Sequence, residues 1–173
     1  MGEIILTMKN ISKSFSGVAA LKNGELTLEA GEVVALMGEN GAGKSTLMKI
    51  LTGIYDKDGG TITYMGNEVE FKGPAASEKA GIAIVHQELN MMSDLTVAQN
   101  LFIGKECMKG LFIDDALMVE KAKALFDVLN IDIDPAERIG ALTVGKQQMV
   151  EIAKALSKDV RLLILDEPTA ALN

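Results

Sequence analysis

A single cysteine, Cys107, stands in this chain, so no disulfide can form within it. Tryptophan is absent and aromatics make up only 4% of residues. A core must therefore be aliphatic, drawn from Leu, Ile, Val, Ala and ten methionines. No apolar run nears the roughly 20 residues that cross a bilayer as a helix. The opening Met1-Gly2-Glu3-Ile4-Ile5-Leu6 has neither the basic start nor the long apolar stretch of a secretory signal. These features lead us to expect a soluble cytoplasmic chain, one that can still dock onto a membrane partner. Basic charge is also short: the net charge is -7, which argues against nucleic acid as a partner. With one histidine, His86, there is no His cluster to hold a metal; it reads as a strand-end residue. Cys107 reads as an incidental thiol in a Gly/Met/Lys loop. The 173 residues suffice for one domain with a true core, or a domain plus a small lobe.

The strongest feature present is Gly38-Glu39-Asn40-Gly41-Ala42-Gly43-Lys44-Ser45-Thr46, which fits the phosphate-binding loop G-x-x-x-x-G-K-[ST]. An apolar run, Val33–Met37, precedes it, and Leu47-Met48-Lys49-Ile50-Leu51, of helical character, follows it. Strand, glycine loop and helix are the setting this motif needs. Glycines let the backbone turn tightly and aim successive N–H groups inward. The helix adds the positive end of its dipole. Lys44 supplies a mobile cation for phosphates, and the Ser45 hydroxyl can meet a Mg²⁺ ion.

Residues 3–9 and 24–30 alternate apolar and polar, as half-buried strands do. Residues 32–37 read as a fully buried strand. Residues 61–65 and 68–71 read as a hairpin with Gly66-Asn67 at the turn. Pro74 opens a short helix to Lys79 that Gly81 stops, and 82–85 is a buried strand ending at His86-Gln87. Val97 and Leu101, then Val119, Ala122, Leu125, Phe126 and Leu129, have helical spacing, with Asp114 capping the second helix. Residues 104–113 read as loop, and a further helix spans about 146–157. The apolar strand Arg161–Leu165 ends on Asp166-Glu167. One of these carboxylates can hold Mg²⁺ and the other can polarise a water for attack on a phosphate. The order of elements implies an α/β core with two appended lobes.

Four motifs in this order resemble ATP-binding cassette (ABC) nucleotide-binding domains: Gly38–Thr46, Gln87, Leu142–Gln148 and Leu162–Thr169. The resemblance runs from about Glu3 to Asn173. Three further stretches, Val85–Asn90, Leu95–Glu106 and Gln148–Leu156, resemble the first of two tandem cassettes in ATPase subunits of bacterial importers for ribose, galactose, xylose and related sugars. The resemblance implies a P-loop NTPase core of the ABC type (32–59, 74–87 and 158–173). It also implies an antiparallel β lobe (1–31 and 60–73) and a helical lobe (88–157). It implies ATP and Mg²⁺ as cofactors, with Gly38, Asn40, Gly41, Gly43, Lys44, Ser45 and Thr46 on the phosphates. Ser45, Gln87 and Asp166 would serve the metal, and Glu167, Gln87 and Lys44 would act in hydrolysis. Phe15 would stack on adenine, although a core aromatic in a short strand has the same sequence appearance.

Thr143 and Gly145 would serve ATP held by a partner cassette; an ordinary helix start capped by Thr143 is the simpler alternative. Val144 and Lys146 depart from the family's glycine and glutamine there, and Asn173 from its aspartate. The implied partners are membrane-spanning permease subunits, received at residues 88–104, a second cassette and, indirectly, an extracytoplasmic sugar-binding protein. The implied place is the cytoplasmic face of the membrane. The family's switch histidine does not occur here, so the chain reads as a fragment expected to hydrolyse ATP poorly. A soluble ABC ATPase working on ribosomes or DNA, and a nucleotide-binding module without turnover, are the competing readings.

Overall fold

A computed structural model of the chain describes residues 2–39, 41–85 and 90–166. The chain divides into two compact units, Met1–Ile82 and Ala83–Asn173.

The first unit is built on an antiparallel ribbon. Strand β1 (Ile4–Phe15) pairs with β2 (Val18–Glu29), from Ile4 opposite Glu29 to Phe15 opposite Val18. Strand β3 (Gly59–Tyr64) covers the other edge of β1, and the short β4 (Asn67–Glu68) follows it, giving the order β2-β1-β3-β4. Alternation places Leu6, Met8, Leu28, Ile62 and Tyr64 in the core. Both long strands outrun the segments their alternation marks. Register shifts after Met8 and Ile11 break the period of two, and Asn10 turns to φ 53.

The hairpin turn lies one residue earlier than expected. Tyr64 pairs with Asn67, so Met65 and Gly66 are the central residues, with φ 49 and 76. A two-residue turn of this hand needs positive φ at both positions, which Gly66 adopts freely. Helix α1 (Lys44–Leu51) buries Leu47, Ile50 and Leu51. Helix α2 (Pro74–Lys79) starts on its proline, as expected, and its Ser77 hydroxyl donates to the Thr52 carbonyl at 3.0 Å.

The expected buried strand at 32–37 does not form. Residues 32–39 adopt no regular structure, and no strand of the described residues pairs with them. Val33 is 96% exposed and Met37 90%. A continuous apolar run is the mark of a strand covered on both sides. Burial of that kind requires neighbours that these described residues do not provide.

In the second unit, β5 (Ile82–Val85) lies beside β8 (Leu162–Leu165). Helix α3 (Val97–Phe102) opens on a capping box of Thr96 and Gln99. Helix α4 (Asp115–Leu129) is capped by the Asp114 carboxylate, which accepts from the Leu117 amide at 3.0 Å. Helix α5 (Val144–Leu156) starts two residues before the position expected.

The core of this unit joins Val97, Ala98 and Leu101 of α3, Met118, Ala122 and Phe126 of α4, and Val150 and Ala153 of α5. Val119, Leu125 and Leu129 pack at its margin. Part of the loop expected at 104–113 is a small hairpin, β6 (Met108–Lys109) with β7 (Phe112–Ile113), whose Leu111 is exposed.

Candidate nucleotide site

The phosphate loop is shaped by its glycines and by β2. Gly41 and Gly43 have φ 87 and 91. At Gly43 a side chain is also excluded by space: a Cβ there would lie 2.8 Å from a Leu21 methyl and 3.0 Å from the Ala20 carbonyl oxygen. Gly43 ends the loop and starts α1, with no side chain capping the helix and no acidic residue in its first turn. The positive end of α1 therefore faces the loop without a counter-charge from its own sequence. Lys44 curls back over the loop and its Nζ donates to the carbonyls of Gly38 at 2.7 Å and Glu39 at 3.0 Å. Ser45 and Thr46 occupy the first turn of α1, with Ser45 exposed. Uncapped amides, the Lys44 ammonium and an exposed hydroxyl at one helix start can hold a polyphosphate.

Phe15 lies at the same end of the β1–β2 ribbon. It pairs with Val18, while Ala20 and Leu21 of the same strand touch the Gly43 position. Two to three residues of strand amount to roughly 7–10 Å. Phe15 is 41% exposed, so it is not the enclosed core aromatic that its sequence setting also allowed. It meets Tyr55 edge to face, with centroids 5.0 Å apart, and Lys13 Nζ stands 5.6 Å from its centroid. Lys13 in turn pairs with Asp58 at 2.9 Å, and the Ser14 amide donates to the same carboxylate at 2.7 Å. The hydrogen bond from Lys13, then that from Ser14, holds the Asp58 carboxyl below its ordinary range. Neither Tyr55 nor Asp58 stood out in the sequence. The signal that could find them is their nearness to the end of α1, where the chain must return to pair with β1.

In the second unit, Asp166 follows β8, and its amide donates to the carbonyl of Val85, the last residue of β5, at 3.0 Å. The C-terminal ends of the two strands thus lie side by side, the place where open α/β sheets gather ligands. Gln87 and Glu167 each fall just past such an end, but both, with Asn40, lie outside the described residues.

Thr143 caps α5: its Oγ1 accepts from the Lys146 amide at 3.4 Å, and Gly145 sits in the first turn. That is the ordinary helix start the sequence allowed. Gln147 holds the approach to it, donating to the carbonyls of Ile139 at 3.1 Å and Leu142 at 3.0 Å. Asn100 does comparable work upstream. It is buried, its Oδ1 accepts from the Met92 amide at 2.9 Å, and its Nδ2 donates to the carbonyls of Met92 and Thr96, each at 3.0 Å.

Among the described residues no group of three His, Cys, Asp or Glu side chains gathers to hold a metal by itself. The Ser45 hydroxyl in the first unit and the Asp166 carboxylate in the second are each hard oxygen donors of the type Mg²⁺ takes.

The profile of the ABC transporter family matches residues 21–170. Among curated relatives, a putative ribose/galactose/methyl galactoside import ATP-binding protein of Burkholderia ambifaria is 56% identical over 171 residues, covering 98% of this chain and 33% of the relative. The galactose/methyl galactoside import ATP-binding protein MglA of Haemophilus influenzae is 50% identical, covering 99% and 34%. The chain thus spans about a third of the length of these relatives. Among solved structures, the ADP conformation of an ATP-binding cassette of an ABC transporter matches with TM-score 0.84 at 29% identity, over 98% of this chain and 71% of that one. A nucleotide-free cassette matches with TM-score 0.82, also at 29% identity, over 96% and 70%. The fold is accordingly the mixed α/β fold of ABC ATPase cassettes with its antiparallel β lobe, and the chain belongs to the ABC transporter family.

Proposed function

We propose that this chain is the ATP-binding part of a subunit that energises import of a sugar across the bacterial cytoplasmic membrane. The observation that carries the reading is the start of α1: a glycine no side chain can replace, uncapped amides, and the Lys44 ammonium resting on loop carbonyls. The names of the relatives, import ATP-binding proteins for ribose, galactose and methyl galactoside, support the cargo class. Gly38, Asn40, Gly41, Gly43, Lys44, Ser45 and Thr46 would surround the phosphates, with Phe15 beneath the base. Ser45, Gln87 and Asp166 would hold Mg²⁺, which when bound neutralises charge on the phosphate oxygens. Glu167 would orient and polarise the attacking water. Thr143 and Gly145 would face ATP held by a second cassette, through the N-terminus of α5.

In this reading the segment 88–104 receives a permease subunit and the protein works at the cytoplasmic face of the membrane. A sugar-binding protein outside acts only through the permease. The division into β lobe (1–31 and 60–73), core (32–59, 74–87 and 158–173) and helical lobe (88–157) belongs to the same proposal.

Calorimetric titration with Mg-ATP, beside Lys44→Ala, tests the core of it. We expect saturable binding by the wild type and a loss of at least tenfold in the variant, since a charge-assisted contact to phosphate is removed. Equal affinity in both would overturn the assignment of the loop.

A further inference from the structure

Aromatics are scarce here, yet two of them, Phe15 and Tyr55, are set against each other beside the phosphate loop. Tyr55 is tied to the phosphate helix itself. Its amide donates to the carbonyl of Lys49 at 3.1 Å, and Lys49 Nζ stands 5.6 Å over its ring. The Tyr55 ring then meets Phe15 at 5.0 Å with the planes 70° apart. From the other side Asp58 fastens the approach to Phe15. Its carboxylate takes Lys13 and the Ser14 amide, and its own amide donates to the Ser12 carbonyl at 2.9 Å. Lys13 Nζ over the Phe15 ring adds a cation to the same cluster. Phe15 sits at the end of a ribbon just before the Ser16-Gly17 turn, a position that would leave an unsupported ring free to swing.

We propose that Tyr55 and Asp58 are positioning residues that fix the plane and height of the Phe15 ring relative to the phosphate helix, and so select ligands carrying a flat base at the correct distance from a polyphosphate. The inference rests on the nucleotide reading above. Tyr55 transmits the position of α1 to Phe15, because its amide is bonded to a carbonyl of the helix's last turn and its ring meets Phe15. Asp58 transmits the position of β3 to the same ring, since it directly precedes that strand. A base stacking on Phe15 gains more if the ring is already held, because ordering it on binding would cancel part of the gain. The phosphates, held by the loop, are indifferent to it.

The test separates base from phosphate. On the purified full protein, Mg-ATP and Mg-tripolyphosphate are titrated into the wild type, Tyr55→Phe, Tyr55→Ala, Tyr55→Leu and Asp58→Ala. We expect Tyr55→Ala and Tyr55→Leu to weaken ATP binding about three- to tenfold, the scale of one lost aromatic contact, and to leave tripolyphosphate unchanged. Tyr55→Phe should keep wild-type affinity for both, and Asp58→Ala should follow Tyr55→Ala. Equal loss for both ligands would make Tyr55 a general structural residue and overturn the proposal. So would an unchanged ATP affinity in Tyr55→Ala, or a Tyr55→Phe as weak as Tyr55→Ala. Lys44→Ala is the control for the underlying reading: it should weaken both ligands, and a wild type that binds neither would overturn both proposals together.

Discussion

At Gly43 a methyl group has no room. Its Cβ would meet both a side chain that can move, Leu21, and a backbone carbonyl, that of Ala20, which cannot move without disturbing β2. The left-handed backbone adds about 1–2 kcal/mol for any residue with a Cβ. Gly43→Ala should therefore lower ATP affinity by about tenfold or more and reduce the thermal midpoint by several degrees. Wild-type titration and melting curves for that variant would show that the loop tolerates a Cβ. The conformation of the loop was legible in the sequence because its own backbone sets it: glycines at fixed offsets from a lysine turn to positive φ at Gly41 and Gly43. Tyr55 and Asp58 were not legible, because their importance lies in meeting residues some forty positions away along the chain.

Elements were legible where their periodicity is undisturbed. Helices α2, α4 and α5 and strands β5 and β8 fall where spacing and caps place them, within about two residues. The stripe of α4 is turned by one position, with Met118 in the centre and Val119 at the margin. Methionine's polarity-neutral, flexible side chain makes it a weak marker for the core and a good filler of it. Strands β1 and β2 were legible only in part, because bulges interrupt the alternation that betrays a strand. The run 33–37 shows the opposite limit: composition states what a strand could bury, and pairing decides whether it does.

Asn100 of α3 was passed over because a polar residue on a helix looks solvated until its partners are seen. Replacing it with alanine removes its part-buried hydrogen bonds to the Met92 amide and carbonyl. That costs about 0.5–1.5 kcal/mol for each bond lost. The urea midpoint of Asn100→Ala should fall with an unchanged slope, and the Met92 amide should exchange faster with solvent. An unaltered midpoint would mean that water replaces the side chain fully.

For the molecule as a whole, the order of motifs carried the fold across a wide gap in sequence: identity of 29% accompanies a TM-score of 0.84. It combines a net charge of -7 with an exposed apolar run at 33–37 that no strand among the described residues pairs with. Like charge keeps copies apart, and an exposed extended apolar segment draws them together. Salt weakens only the first effect. The 173-residue chain should therefore self-associate more at high ionic strength in sedimentation experiments, and Val33→Lys should reduce that association. A wild type that stays monomeric at all salt concentrations would contradict this.

The resting place of Lys44 has a further consequence. With its ammonium bonded to two carbonyls of the loop, Lys44 presents a charge whose hydrogen-bonding needs are partly met. Uptake of an anion is then a displacement and not a simple capture. Chloride, or an anion with a single charge to offer, competes poorly against two well-placed acceptors. A chain of phosphates brings several oxygens to the lysine and the amides at once. In the nucleotide reading proposed above, the loop's own carbonyls would therefore set a threshold of valence for an incoming ligand.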